Sequence, residues 1–217
     1  MGCLSDEFLG AINAIGMKKL EHPIFYHAPI ALRFEIGGSE DIFIVGDRTK
    51  KRAINPEYIS AAYHRAITIY TSLRCKFNIL RFDCFPDEGD VQKLDDFFGR
   101  RVGLPMPDER IMGRNPTGDE DGETKPRLQW YWNIEEHPFH LNILLKEIVR
   151  ADCGGRSELV SSVYFMDSRN AVLFHMYDDR GADLVAACRE TIYPVYVELN
   201  DWIVNFDREK MDATFAK

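Results

Sequence analysis

Two apolar runs, Leu159 to Met166 and Ala171 to Tyr177, flank the polar break Asp167-Ser168-Arg169-Asn170, and that length and composition predict a β-hairpin. A hairpin commits its sheet to antiparallel pairing, because two strands joined by so short a loop run in opposite directions. The remaining segments are fitted around it. Ala31-Leu32-Arg33-Phe34-Glu35-Ile36 alternates apolar and polar residues and stops at Gly37-Gly38, with Asp41 to Val45 expected to pair back on it. Phe77 to Phe82 and Arg127 to Ile134 read as further strands, the latter with Trp130 and Trp132 on one face.

Helical periodicity marks Ser5 onward, with Phe8, Leu9, Ile12 and Ile15 ahead of a Gly16 stop. It also marks Asn55-Pro56-Glu57 through Arg74, Asp90 to Phe98 and Phe139 to Val149. After Gly181 a last helical region is expected from Ala182 to about Arg189, resuming near Thr191 towards Phe215, with Tyr193, Tyr196, Val197, Trp202 and Ile203 offered to the buried face. Strands that alternate with helices and then end in a hairpin indicate an α+β fold: a mixed, largely antiparallel sheet of about five or six strands with helices packed on it. One domain over 1–217 is expected, with an N-terminal helix within 1–20, an exposed acidic loop over 102–125 and a distinctive C-terminal segment over 171–217.

Charge narrows the function. The chain carries 27 basic and 35 acidic residues, a net −8, which opposes unaided binding to a phosphate backbone. A nucleic-acid partner, such as a prophage-linked binder would need, is therefore the weakest reading, and a basic protein partner the better one. Five scattered cysteines suggest reduced, mostly buried thiols rather than a disulfide framework or a clustered metal site. No apolar run approaches the ~18 residues that cross a bilayer. A cytoplasmic protein without membrane attachment is expected, with no cofactor implied and oligomeric state left open.

The densest polar feature is Tyr177-Asp178-Asp179-Arg180-Gly181, with Asp183 beyond it. Asp178, Asp179 and Asp183 could hold a hard divalent cation, and His175, two residues upstream, is the one candidate general base. A metal-dependent hydrolase is thus the alternative to a binding protein. The structural reading competes: an Asp caps a following helix, Arg180 is gripped by a neighbouring carboxylate, and Gly181 relieves the backbone. Arg33 and Glu35 share a strand face that could point to the same edge, though alternation alone would send them to solvent or cross-strand partners. Trp130 and Trp132 would mark a partner surface if exposed, and core if covered by helices. His137 and His140 lack the further ligands of a zinc site.

The stretch from Leu173 to Val185 around this turn, with Ile192-Tyr193-Pro194-Val195-Tyr196 and Asn200-Asp201-Trp202-Ile203, resembles a short bacterial family catalogued as domain of unknown function 3885. The likeness covers about the last forty residues, and Arg33 to Gly38 is similar to what full-length members carry. The resemblance implies organisation rather than chemistry. Such proteins look like acidic accessory and immunity-type proteins of bacterial toxin loci, which makes the expected partner another protein, for instance a basic toxin domain, with Glu35, Asp183, Trp130, Trp132 and Trp202 as candidate binding residues.

Overall fold

A computed structural model describes residues 3–45, 52–84, 90–114, 126–160 and 162–216. Its centre is a seven-stranded sheet in which every neighbouring pair is antiparallel. The strands are β1 (Ala31–Glu35), β4 (Ile79–Cys84), β5 (Glu109–Arg114), β6 (Pro126–Asn133), β7 (Val163–Asp167), β8 (Val172–Met176) and β9 (Gly181–Ala186). They lie in the order β1-β9-β8-β7-β4-β6-β5, and β2 (Phe43–Val45) pairs with β3 (Arg52–Ile54) in a separate ribbon. Seven strands thus replace the five or six expected. The fold is α+β, and the hairpin that anchored the sequence reading is present as β7 and β8.

Three segments depart from expectation for identifiable reasons. Gly181 to Ala186 is a strand, not the start of a helix. Ala182-Asp183-Leu184-Val185-Ala186 is a short apolar run of the kind that periodicity alone cannot divide between buried strand and helix. Asp41 to Val45 does not fold back on β1; it pairs with β3, and β1 pairs with β9 instead. Within the expected loop over 102–125, Glu109–Arg114 forms the edge strand β5, whose pattern is masked by the Pro and Gly residues around it. The run Asp119-Glu120-Asp121 lies outside the described residues.

Antiparallel register places directly opposed residues on the same side of the sheet. One such row, Leu32, Leu184, Phe174, Phe165, Leu80 and Trp132, is wholly apolar. Helices α3 (Pro56–Ser72) and α5 (Leu141–Ala151) and the π-helical turn Phe97–Val102, which follows α4 (Asp90–Asp96), accompany this side of the sheet. Tyr70 of α3 packs edge-on against Phe165 and Phe174, and Phe98 against Trp130 and Trp132. α3 begins as the sequence predicts: Asn55 accepts from the Glu57 N–H and Pro56 sits in the first turn.

The opposite face carries α1 (Leu4–Ile15) and α2 (Ile24–His27). α1 is firmly seated: Phe8, Ile12 and Ile15 are buried, Phe8 packs on Tyr131, and Gly16 ends the helix at φ 95°. The Ser5 hydroxyl does not cap α1 but donates to Glu109 on β5. Helices α6 (Arg189–Glu198) and α7 (Arg208–Phe215) close the chain, and the segment between them covers the outer edge of β1 through the Phe34–Ile203 bridge and the Val204 N–H donated to the Arg33 carbonyl at 3.0 Å. Among the described residues no helix is long and apolar enough to cross a membrane.

Candidate functional site

Beside the apolar row runs one of opposite character. The register aligns Arg33, Asp183, His175, Tyr164, Arg81, Tyr131 and Glu109, one residue from each of the seven strands, on the face covered by α1 and α2. Charges in such a place must be paired, because an isolated buried ion costs several kcal/mol. Arg33 meets Asp183 bidentately, Nε to Oδ1 at 2.8 Å and Nη2 to Oδ2 at 3.0 Å, and Asp183 also accepts the Phe25 N–H at 3.2 Å. Arg81 grips Asp83 in the same way at 2.7 and 2.9 Å, and Arg127 joins from β6. Burial works against the charge on Arg33, but the Asp183 hydrogen bonds and charge more than offset it and hold the guanidinium above its ordinary value. The rings of Phe25 and Tyr26 lie 4.9 Å from the Arg33 guanidinium, and that of Tyr177 at 5.4 Å.

A pocket of 160 Å³ opens onto this pair, lined by His22, Pro23, Arg33, Tyr177 and Asp183. His22 and Pro23 are exposed at its mouth, and Asp183 lies fully buried at its floor. The His22 ring reaches inward to the Tyr164 hydroxyl and stands 4.8 Å from His175, which is itself stacked on Tyr164 at 4.6 Å. Desolvation of that inner edge lowers the His22 pKa. His175 has no exposed surface, so the residue that the sequence offered as a general base is sealed between Tyr164 and the sheet and is not presented to the acidic turn.

The acidic run itself is a hairpin turn between β8 and β9, not a strand-to-helix corner. Asp178 caps no helix; its Oδ1 accepts the N–H groups of Arg180 and Gly181, both at 2.8 Å, and its Oδ2 takes the Arg180 guanidinium at 2.8 Å. Asp179 accepts from the Tyr58 hydroxyl, whose pKa burial and this carboxylate push far up. Gly181 is required by contact rather than by dihedral, since a Cβ there would run into the Tyr177 ring. The Arg180 carbonyl receives the N–H groups of Ile36 and Gly37 at 2.7 and 3.2 Å, so the two stretches that resemble the family meet in space. The trio proposed from sequence does not assemble: Asp183 is committed to Arg33, and Asp152, from the end of α5, joins Asp178 and Asp179 with carboxylate oxygens within 4.8 Å. Burial and the charges of Asp178 and Asp179 raise the Asp152 pKa.

The other candidates are dispersed. Glu35 is exposed, and its carbonyl is held by Arg65, which also lies 5.5 Å from the ring of the half-buried Trp202. Trp130 and Trp132 are 1% and 0% exposed, with the Trp132 indole donating to the Pro105 carbonyl, so both belong to the core. His137 pairs with Asp108, while His140 packs beside Gly103. Cys188, like Cys3, is exposed, whereas the thiols were expected to be mostly buried. Sequence reasoning passed over His22, Tyr58, Asp152 and the Arg81–Asp83 pair. Only the last left a local signal, two opposite charges spaced two apart in a strand and hence on one face.

On the outer side of α6, Tyr193 and Val197, one helical turn apart, are 42% and 57% exposed, Glu190, Glu198 and Asp201 are exposed nearby in sequence, and the Arg189 guanidinium lies 5.1 Å over the Tyr193 ring. Tyr193 and Val197 were expected to face inward with Tyr196; Tyr196 does so, joined by Ile192 and Val195 instead.

The model of a family described as Domain of unknown function (DUF3885) matches residues 11–207 of the 217. The match reaches far beyond the C-terminal segment and takes in both the Arg33 strand and the acidic turn. No curated protein and no solved structure matches the chain.

Proposed function

The chain belongs to the DUF3885 family, and we propose that it works as a binding protein that engages a basic partner protein through the outer face of α6. One observation carries the reading: two exposed apolar side chains, Tyr193 and Val197, on a helix that also exposes Glu190 and Glu198, with Asp201 just beyond it and Arg189 over the Tyr193 ring, on a molecule of net charge −8. An apolar centre with an acidic rim suits a partner that presents an apolar anchor among Lys and Arg. The rim raises the association rate, and the centre supplies most of the affinity. An immunity-type protein that neutralises a basic toxin domain is the specific form of this proposal. Of the residues named in the hydrolase alternative, His175 is buried and Asp183 is committed to Arg33, while Asp178 and Asp179 stand together with Asp152.

The test pairs the purified chain with the products of the reading frames beside its own gene. A basic product should bind, with association slowing as salt rises. Tyr193→Ala with Val197→Asp should weaken the complex by roughly a hundredfold, the loss of two anchor contacts. If no neighbouring product binds, or the double variant binds as wild type does, the proposal fails.

A further inference from the structure

The pocket at the Arg33–Asp183 pair holds a donor set that its own neighbours do not use up. A guanidinium has five N–H groups. Two of them donate to Asp183, through Nε and Nη2, which leaves three. A second carboxylate, Asp207, stands with Oδ2 3.5 Å from Nη1, and it already accepts from the Tyr26 hydroxyl at 2.9 and 3.1 Å. The Arg33 side chain is 11% exposed, and its uncommitted donors open to the water of the pocket rather than being sealed within the core. They line a pocket of 160 Å³ whose mouth carries His22, which can donate through Nδ1 when its Nε2 accepts from the Tyr164 hydroxyl.

The buried acceptor of the pocket, by contrast, is largely committed. Asp183 takes three N–H groups, two from Arg33 and one from Phe25. The charges close by balance: Arg33 and Lys210, whose ammonium donates to the Phe25 carbonyl at 3.2 Å, stand against Asp183 and Asp207. A ligand rich in acceptors therefore fits, and one rich in donors does not. Arg guanidinium is also the side chain best matched to the planar or tetrahedral oxygens of such a group.

We propose that this pocket is a binding site for a small oxyanion, a carboxylate or a phosphate group, held by the spare N–H groups of Arg33 and by His22. The proposal is independent of the α6 surface and stands or falls separately. It is tested on the full chain by calorimetric titration with inorganic phosphate and, in a separate arm, with acetate, at constant ionic strength. Saturable binding of one of the two is expected, and which one binds identifies the source of the oxygens. His22→Gln, checked for folding by a thermal melt because the ring also contacts Tyr164 and His175, should weaken binding about tenfold, the effect of one lost charge-assisted hydrogen bond. Arg33→Lys keeps a cation for Asp183 but loses the fork and should abolish binding, with a thermal melt to establish that the variant is folded; if it is not, His22→Gln decides alone. Arg110→Gln, on the far edge strand, should change nothing. No saturable heat from either anion would mean that water alone meets these donors, and binding unchanged in His22→Gln would place the anion elsewhere; either result overturns the proposal.

Discussion

The two faces of the central sheet are built from the same strands yet rely on different physics. One presents Leu32, Leu184, Phe174, Phe165, Leu80 and Trp132 and is stabilised by removal of apolar surface from water, about 1.5–3 kcal/mol for each large side chain buried. The other presents Arg33, Asp183, His175, Tyr164, Arg81, Tyr131 and Glu109, where burial alone would be unfavourable and pairing makes it tolerable. An apolar contact is non-directional and each residue contributes nearly by itself. A buried ion pair is a contract between two residues, so its members must change together. The pocket sits on the second face, where the sheet brings Arg33 and Asp183 into the interior together.

The comparison breaks most visibly at Trp132. Trp132→Ala should cost about 3–5 kcal/mol through the cavity it leaves, read as a lower denaturation midpoint in urea with unchanged slope, and no second apolar substitution on that face should recover it. On the polar face, Asp183→Leu alone should also cost about 3–5 kcal/mol, because Arg33 is left charged and buried, while Arg33→Met with Asp183→Leu should return most of that loss. A double variant whose cost equals or exceeds the sum of the single ones would dissolve the distinction between the faces. Gly181→Ala should follow at about 1–3 kcal/mol, since the new methyl meets the Tyr177 ring; combination with Tyr177→Ala, which opens that space, should make the glycine change nearly silent.

The smallest effect concerns pH. Desolvation lowers the folded-state pKa of His22, so the unfolded chain takes up a proton first as pH falls. The contribution of His22 is complete above the ordinary imidazole range and is lost as pH drops through the lowered value. His22→Gln should flatten that part of the stability profile and leave the region above neutrality unchanged, as followed by thermal melting across pH. A profile identical to that of wild type would mean that His22 is not desolvated by its approach to Tyr164 and His175.

Local chemistry in the chain determined a good deal. The Asp167 to Asn170 break specified a hairpin, the Asn55-Pro56-Glu57 start specified α3, and alternation around Trp130 and Trp132 specified a strand with both rings on one side, because caps, turns and side-chain period act within a few residues. The sequence also singled out Arg33, His175, Asp178, Asp179, Arg180 and Asp183 as the unusual polar residues, and all six are in or beside the polar row or its turn. What each one does was decided by tertiary structure. Asp183 pairs with Arg33 from 150 residues away, Asp179 with Tyr58 from 121, and Tyr164 with His22 from 142. No local pattern specifies which partner a charge will find across such separations; antiparallel register sets the Arg33–Asp183 pair, and the packing of α3 and of the segment before α2 against the sheet sets the other two.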